Sequence, residues 1–100
     1  MVTREHLIER ATSLGIPDYM HDGLVEFILH GRPVGNFLTA VLSNNLKEAC
    51  GRADDTNLQL LPNYVRFLYN HAPVGCWGTE ERMESWMERE GLVGVMEKIS

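Results

Sequence analysis

Histidine and cysteine are the side chains of this sequence with the widest chemical repertoire. The closest such pair is His71 and Cys76. Together they could act as a base and a thiol nucleophile, or as two ligands of a metal ion. However, the sequence lacks the i, i+4 histidine spacing and the C-x-x-C spacing that indicate zinc, and it contains no oxyanion-hole motif. We therefore predict structural roles for both residues, with no metal, no cofactor and no enzymatic activity.

Carboxylates at helical spacing form the second candidate site. Three glutamates recur at every fourth residue near the end of the chain, so they line one side of a helix, and a fourth lies beside them. Two adjacent aspartates stand at the start of an earlier helix. One interpretation is a solvated face with ordinary helix capping, and the other is a docking surface for a partner rich in Lys and Arg. These candidate partner-binding residues are Asp54, Asp55, Glu80, Glu81, Glu84 and Glu88.

Capping and turn residues divide the chain into about five to six short helices, which predicts an all-α fold in a single compact domain. Thr3 caps the first helix, and Gly15 ends it. Residues 16–20 are predicted to be a connector. Asp22 is predicted to cap a second helix that runs to His30. This helix is apolar over most of its circumference and therefore belongs in the interior.

The middle of the sequence predicts a helical hairpin. Asn36 can cap an apolar helix, and Asn44 and Asn45 break it, because asparagine tolerates the left-handed region and also caps well. The next helix is predicted to bury Leu46 and Ala49. A helix-turn-helix that binds DNA is an alternative interpretation of the same pattern.

Two further helices are predicted beyond the hairpin. Apolar residues keep helical spacing from Leu58 to Tyr69. Either two short helices meet at Pro62 or one helix bends there, and we prefer one bent helix over residues 55–70. Thr79 caps the last clear helix, in which Trp86 belongs to a buried stripe with two methionines. Residues 92–99 are predicted to add a terminal turn or tail.

The charge of the chain argues against nucleic acid as a direct partner. Acidic residues number 14 against 9 basic ones, and the formal charge is −5. Affinity for phosphates depends mainly on clustered Lys and Arg, and the second helix of the hairpin offers only Lys47 and Arg52. The sequence also contains no apolar run of about 20 residues that could cross a membrane. With no signal peptide at the N-terminus and only two cysteines, we expect a reducing cytoplasm.

A pattern of prolines, glycines, aromatic and apolar residues between residues 16 and 78 resembles a family of small proteins carried by bacteriophages and other mobile elements. Its motifs are structural and include no catalytic signature. The residues that carry the resemblance are Ile16, Pro17, Tyr19, Met20, Gly23, Leu24, Gly31, Pro33, Gly35, Phe37, Leu38, Ala40, Val41, Leu42, Ala53, Asp54, Phe67, Leu68, Tyr69, Asn70, Ala72, Pro73, Cys76, Trp77 and Gly78.

In size, acidity and lack of active-site residues, the chain is also similar to phage anti-CRISPR proteins that act on the type I-F surveillance complex. That resemblance implies an inhibitor that binds a host nucleoprotein complex in the bacterial cytoplasm and blocks entry of target DNA. Such complexes hold nucleic acid in positively charged channels, which an acidic competitor suits. The alternative hypothesis is a structural or regulatory phage protein that forms a homodimer through exposed apolar residues, with Trp77, Trp86 and the 92–99 tail as candidates.

Overall fold

Helices account for all regular secondary structure between residues 2 and 99, the part of the chain that the computed structural model describes; side chains are described for residues 2–96. The helices are α1 (Arg4–Ser13), α2 (Asp18–His30), α3 (Asn36–Leu42), α4 (Leu46–Arg52), α5 (Asp55–Gln59), α6 (Leu61–His71), a 3-10 turn (Val74–Cys76), α7 (Glu80–Glu88) and α8 (Gly91–Ile99). The all-α prediction is confirmed. The Cα radius of gyration, 12.7 Å, is that of one folded domain of this length.

Several helix boundaries lie where capping residues predicted them. The side chains of Thr3, Asn45 and Thr79 each accept a hydrogen bond from the amide three residues ahead, at 3.0 to 3.2 Å. Each of them satisfies an amide that the first turn of a helix leaves without a partner. Between α3 and α4, Asn44 takes a left-handed φ of 62°. The predicted break in the hairpin is therefore confirmed.

The predicted start of α2 was wrong. The helix begins at Asp18 and includes most of the segment expected to be a connector, with Pro17 as its N-cap residue. Asp22, the predicted cap, lies inside the helix, and its carboxylate accepts a hydrogen bond from Arg4 Nη2 at 2.6 Å. Proline favours the start of a helix because its ring fixes φ near the helical value, and Pro17 has a φ of −59°. The earlier boundary is therefore explained by Pro17.

Pro62 divides its helix instead of bending it. The chain between Asp55 and His71 forms two helices that meet at Leu60, and Pro62 falls in the first turn of α6. The prediction of one bent helix was therefore wrong. At that position the missing amide of proline has no intrahelical acceptor to lose.

The second helix of the hairpin also differs from the prediction. In α4 only Ala49 is buried, whereas Leu46 is 70% exposed and Cys50 is exposed. The amide of Asn45 donates to the carbonyl of Ala40 at 2.8 Å and folds α4 back on α3. The hairpin thus contributes mainly α3 to the core, and α4 stays near the surface.

The core forms around α2, as its apolar circumference predicted. Leu24, Phe27 and Ile28 are fully buried among residues from α1, α3, α6 and α7. The end of α2 passes very close to the start of α8: a Cβ on Gly91 would lie 2.5 Å from the backbone nitrogen of Gly31. Both glycines have left-handed φ values, which other residues adopt at a cost. The predicted terminal tail is therefore a docked helix.

Candidate functional site

The carboxylates of α7 project from a helix that is fixed on its inner side. Met83 and Trp86 are buried, as predicted, and the indole nitrogen of Trp86 donates to the carbonyls of Phe27 and Ile28, both at 3.1 Å. These carbonyls belong to the last turn of α2, and that of Phe27 also accepts the amide of Gly31 at 2.9 Å, so the indole is its second donor. The indole therefore fixes the orientation of α7 relative to α2.

The outer side of α7 is acidic and forms no ion pair with the side chains of residues 2–96. All four of its glutamates are exposed. The five ion pairs among the side chains of residues 2–96 use other carboxylates, those of Glu9, Asp22, Glu26 and Glu48. The glutamates of α7 are consequently available to an external cation without breaking a contact within the described part of the chain.

The two aspartates of the candidate site have different environments. Asp54 caps α5, because its Oδ1 accepts the amide of Asn57 at 2.7 Å, and its Oδ2 accepts the hydroxyl of Tyr19 at 3.0 Å. Asp55 is exposed and forms no ion pair with the side chains of residues 2–96. Asp54 therefore has a structural role as a cap, while Asp55 presents its charge to solvent.

A buried polar network lies directly behind Asp54, and the sequence analysis did not predict it. The hydroxyl of Tyr64 donates to Oδ1 of Asn57 at 2.6 Å. The side-chain amide nitrogen of Asn57, Nδ2, lies 3.4 Å from the hydroxyl of Tyr19. Burial, above all, raises the pKa of Tyr64, and the hydrogen bond to Asp54 raises the pKa of Tyr19. The sequence signal for this network is Asn57, a polar side chain in the first turn of α5 that is 4% exposed in the structure.

The two groups of carboxylates border adjoining parts of the surface. Glu80 lines a shallow cleft of about 260 Å³, Asp54 lines a second one of about 390 Å³, and the two clefts share Asn36 and Arg52. Nε of Arg52 donates to the carboxylate of Glu48 at 3.3 Å, so its charge is largely compensated. We call the set Asp54, Asp55, Glu80, Glu81, Glu84 and Glu88 the acidic face.

His71 and Cys76 each have surroundings set by packing. Burial raises the pKa of Cys76 to about 12, so its sulfur stays a protonated thiol, as the structural prediction requires. The ring of His71 lies against those of His6 and Phe67, with centroid distances of 5.8 and 6.0 Å. Its pKa is lowered by burial first, and then by the charges of Arg10 and His6. Residues 2–96 contain no group of three side chains able to hold a metal ion.

The residues predicted for self-association are only partly exposed. Trp86 is 7% exposed, so its inclusion among them was wrong; its indole hydrogen bonds keep it in the core. Trp77 is half-buried, and in α8 the exposed side chains are Val93 and Met96. The side chain of Ile99 lies outside the described residues.

The exposed apolar side chains that the sequence analysis missed lie elsewhere. They are Tyr19, Leu46, Leu58, Val65, Tyr69 and Val74. Three of them, Leu58, Val65 and Tyr69, belong to the run whose helical spacing predicted one helix over residues 55–70.

Comparisons with known proteins do not assign the chain to a family. No protein-family model, no curated protein and no solved structure matches it. Between residues 2 and 99, no helix is both long enough and apolar enough to cross a membrane.

Proposed function

We propose that this protein is a non-enzymatic inhibitor that docks its acidic face on a basic, nucleic-acid-binding surface of a host nucleoprotein complex. The observation that supports this best is the outer side of α7, where four exposed glutamates have no ion-pair partner among the side chains of residues 2–96. The resemblance to phage proteins makes the type I-F surveillance complex the candidate partner and blockage of its target DNA the effect.

The anchoring of α7 favours such a docking role. A buried tryptophan fixes the helix backbone that carries the glutamates before binding, so association must order the glutamate side chains but not the helix itself. When these carboxylates bind a cation, no ion pair among the side chains of residues 2–96 has to break. Lys and Arg side chains that normally contact phosphates can then pair with Glu80, Glu84 and Glu88, which stand at one side of the helix. The same charges disfavour direct binding of DNA by the inhibitor.

Competition with target DNA tests this proposal. Purified type I-F surveillance complex is incubated with the protein, and its binding to a labelled target duplex is measured by gel shift at several salt concentrations. We expect inhibition that weakens as salt rises, because exposed ion pairs are screened. The double variant Glu84→Lys/Glu88→Lys should raise the half-inhibitory concentration by about tenfold or more, the equivalent of about 1.4 kcal/mol.

A matched control separates a specific surface from general charge. The double variant Glu5→Lys/Glu9→Lys changes the net charge by the same amount, at the same i, i+4 spacing, on the exposed side of α1. It should inhibit nearly as well as the original protein. Full inhibition by the α7 variant would falsify the role of the acidic face, and no inhibition by the original protein would exclude this complex as the partner.

A further inference from the structure

A second surface, centred on α6, has the properties of a binding groove. It is a cleft of about 620 Å³ between α6, the 3-10 turn and the start of α7. Val65 and Tyr69 project into it from α6, and Val74 and Trp77 close it from the next segment. Val65 is 45% exposed, Tyr69 78% and Val74 77%. We call this cleft the α6 groove.

The apolar surface extends beyond the groove. A smaller cleft shares Val41, Asn44 and Val65 with it and continues to Leu61 and to the 70% exposed Leu46. Scattered exposed apolar residues are normal on a folded protein, but a connected run of them marks a site of interaction. The length from Leu61 to Tyr69 on α6 is about 12 Å at 1.5 Å per residue, or slightly more than two helical turns.

The charge around this strip is opposite to that of the rest of the protein. Helix α6 contains no carboxylate and one arginine, Arg66. Arg82 lines the α6 groove, and neither cleft has an Asp or Glu in its lining. Among the side chains of residues 2–96, neither arginine forms an ion pair. Since a guanidinium can hold a carboxylate with two parallel hydrogen bonds, the groove is complementary to an acidic ligand.

We propose that the α6 groove binds an amphipathic helix of another protein, with apolar residues at helical spacing and carboxylates along their flank. A helix places side chains i, i+3, i+4 and i+7 on one stripe, which suits an apolar strip slightly longer than two turns. Pairing with an extended strand requires a sheet edge, and residues 2–99 contain no strand. Arg82 and Arg66 pair with the flanking carboxylates, and Val65, Tyr69 and Val74 contact the apolar stripe.

A second copy of this chain fits the groove less well. A two-fold interface brings the same patch of both subunits together. Arg66 and Arg82 of one copy would then face the same residues of the other, and like charges at an interface oppose association. The groove also differs from the acidic face in direction. On α7, Arg82 is about 160° around the helix axis from both Glu80 and Glu84 and about 100° from Glu81.

Two synthetic peptides with the same apolar stripe of leucines test this proposal on the full chain. One carries glutamate at the flanking positions and the other carries lysine, and each is labelled with fluorescein for anisotropy measurements. The glutamate peptide should bind at least about tenfold more tightly than the lysine peptide. The Arg82→Glu variant should remove most of that preference, because the charge at the groove wall changes sign while Arg66 and the apolar contacts remain.

Further variants locate the binding on the protein. Tyr69→Ser/Val74→Ser should weaken the glutamate peptide by about tenfold or more. Leu58→Ser, at an exposed leucine outside both clefts, should leave its affinity unchanged. Trp77 emission should shift when the peptide binds, and Trp77→Phe should remove that shift. Helicity by circular dichroism verifies that each variant is folded.

Three results would overturn the proposal. The first is equal affinity for the two peptides or a preference for the lysine peptide. The second is binding that Tyr69→Ser/Val74→Ser does not weaken. The third is a dimer of the protein alone in sedimentation that the same variant dissociates, because a second copy would then occupy the groove. The acidic face is unaffected by all three, so this proposal and the proposed inhibition of DNA binding stand or fall separately.

Discussion

Helices α6 and α7 both pack one side into the core, but the sides that they present to solvent differ in polarity. Each buries a stripe of large side chains: Tyr64 and Phe67 in α6 are fully buried, and Trp86 in α7 is 7% exposed. On the outer side, α7 has glutamates, whereas α6 has Val65 and Tyr69. An acidic outer side is common on a solvated helix, but an apolar one leaves exposed surface that the fold does not need.

This difference separates stability from recognition. Because the inner sides of both helices form the core, substitutions there should change the free energy of unfolding. Substitutions on the outer sides should change binding and leave the fold intact. The four predictions below test that separation, beginning with the buried residue that links two helices.

Trp86→Ala should have the largest effect on stability. It removes a buried indole and both of its hydrogen bonds; the carbonyl of Phe27 keeps the amide of Gly31 as a donor, whereas that of Ile28 loses the indole, so we expect a loss of about 3–5 kcal/mol. Trp86→Phe should cost less, since it keeps most of the apolar volume and loses the hydrogen bonds. Urea unfolding followed by circular dichroism measures both. Equal stability of the alanine variant and the original protein would contradict the buried position of Trp86.

Tyr64→Phe should have the next largest effect. The substitution keeps the ring in the hydrophobic core and removes the donor to Asn57 Oδ1. That oxygen is then left without this donor in a buried site, because Asn57 is 4% exposed. Loss of one partner of a buried hydrogen bond costs about 1–3 kcal/mol. Urea unfolding of Tyr64→Phe, with Tyr69→Phe as a control on the outer side of the same helix, tests this. Similar losses for the two variants would show that the network has no special contribution.

The sequence predicted helix caps better than it predicted exposure. Thr3, Asn45 and Thr79 could be identified because capping depends on neighbours within three residues in the chain. The burial of Leu46 was predicted wrongly, because it depends on whether another helix covers that residue, and periodicity shows only which residues share a side. Helix α6 has more apolar residues than its buried side can hold. The remaining ones, Val65 and Tyr69, are exposed and line the α6 groove.

The acidic face was predicted as a set of residues but not as an environment. Helical spacing was sufficient to place Glu80, Glu84 and Glu88 on one exposed side of α7. It did not distinguish Asp54 from Asp55. The carboxylate of Asp54 accepts hydrogen bonds from the hydroxyl of Tyr19 and from a helix amide. That distinction depends on Tyr19, which lies 35 residues earlier in the chain.

His71, at the end of α6, should make stability depend on pH. Its pKa is lowered in the folded protein by burial and by the nearby positive charges, so the unfolded chain binds the proton more readily. The stabilisation is fully present above the unfolded pKa of about 6.5 and is lost as the pH falls toward the lower folded pKa. Melting temperatures from pH 8 to 5 should decrease, and His71→Gln should reduce that decrease. An NMR titration that places the His71 pKa at or above 6.5 would contradict this assignment.

Substitutions on the two outer sides should have the smallest effect on stability. Glu84→Lys/Glu88→Lys on α7 and Tyr69→Ser/Val74→Ser at the α6 groove all replace exposed side chains, so each substitution should change the free energy of unfolding by no more than about 0.5 kcal/mol. Urea unfolding of both variants, measured beside Trp86→Ala, gives the comparison directly. A loss of several kcal/mol in the groove variant would mean that Tyr69 and Val74 belong to the core. The contrast between α6 and α7 would then reflect packing within this chain, and an external ligand would not be required to explain it.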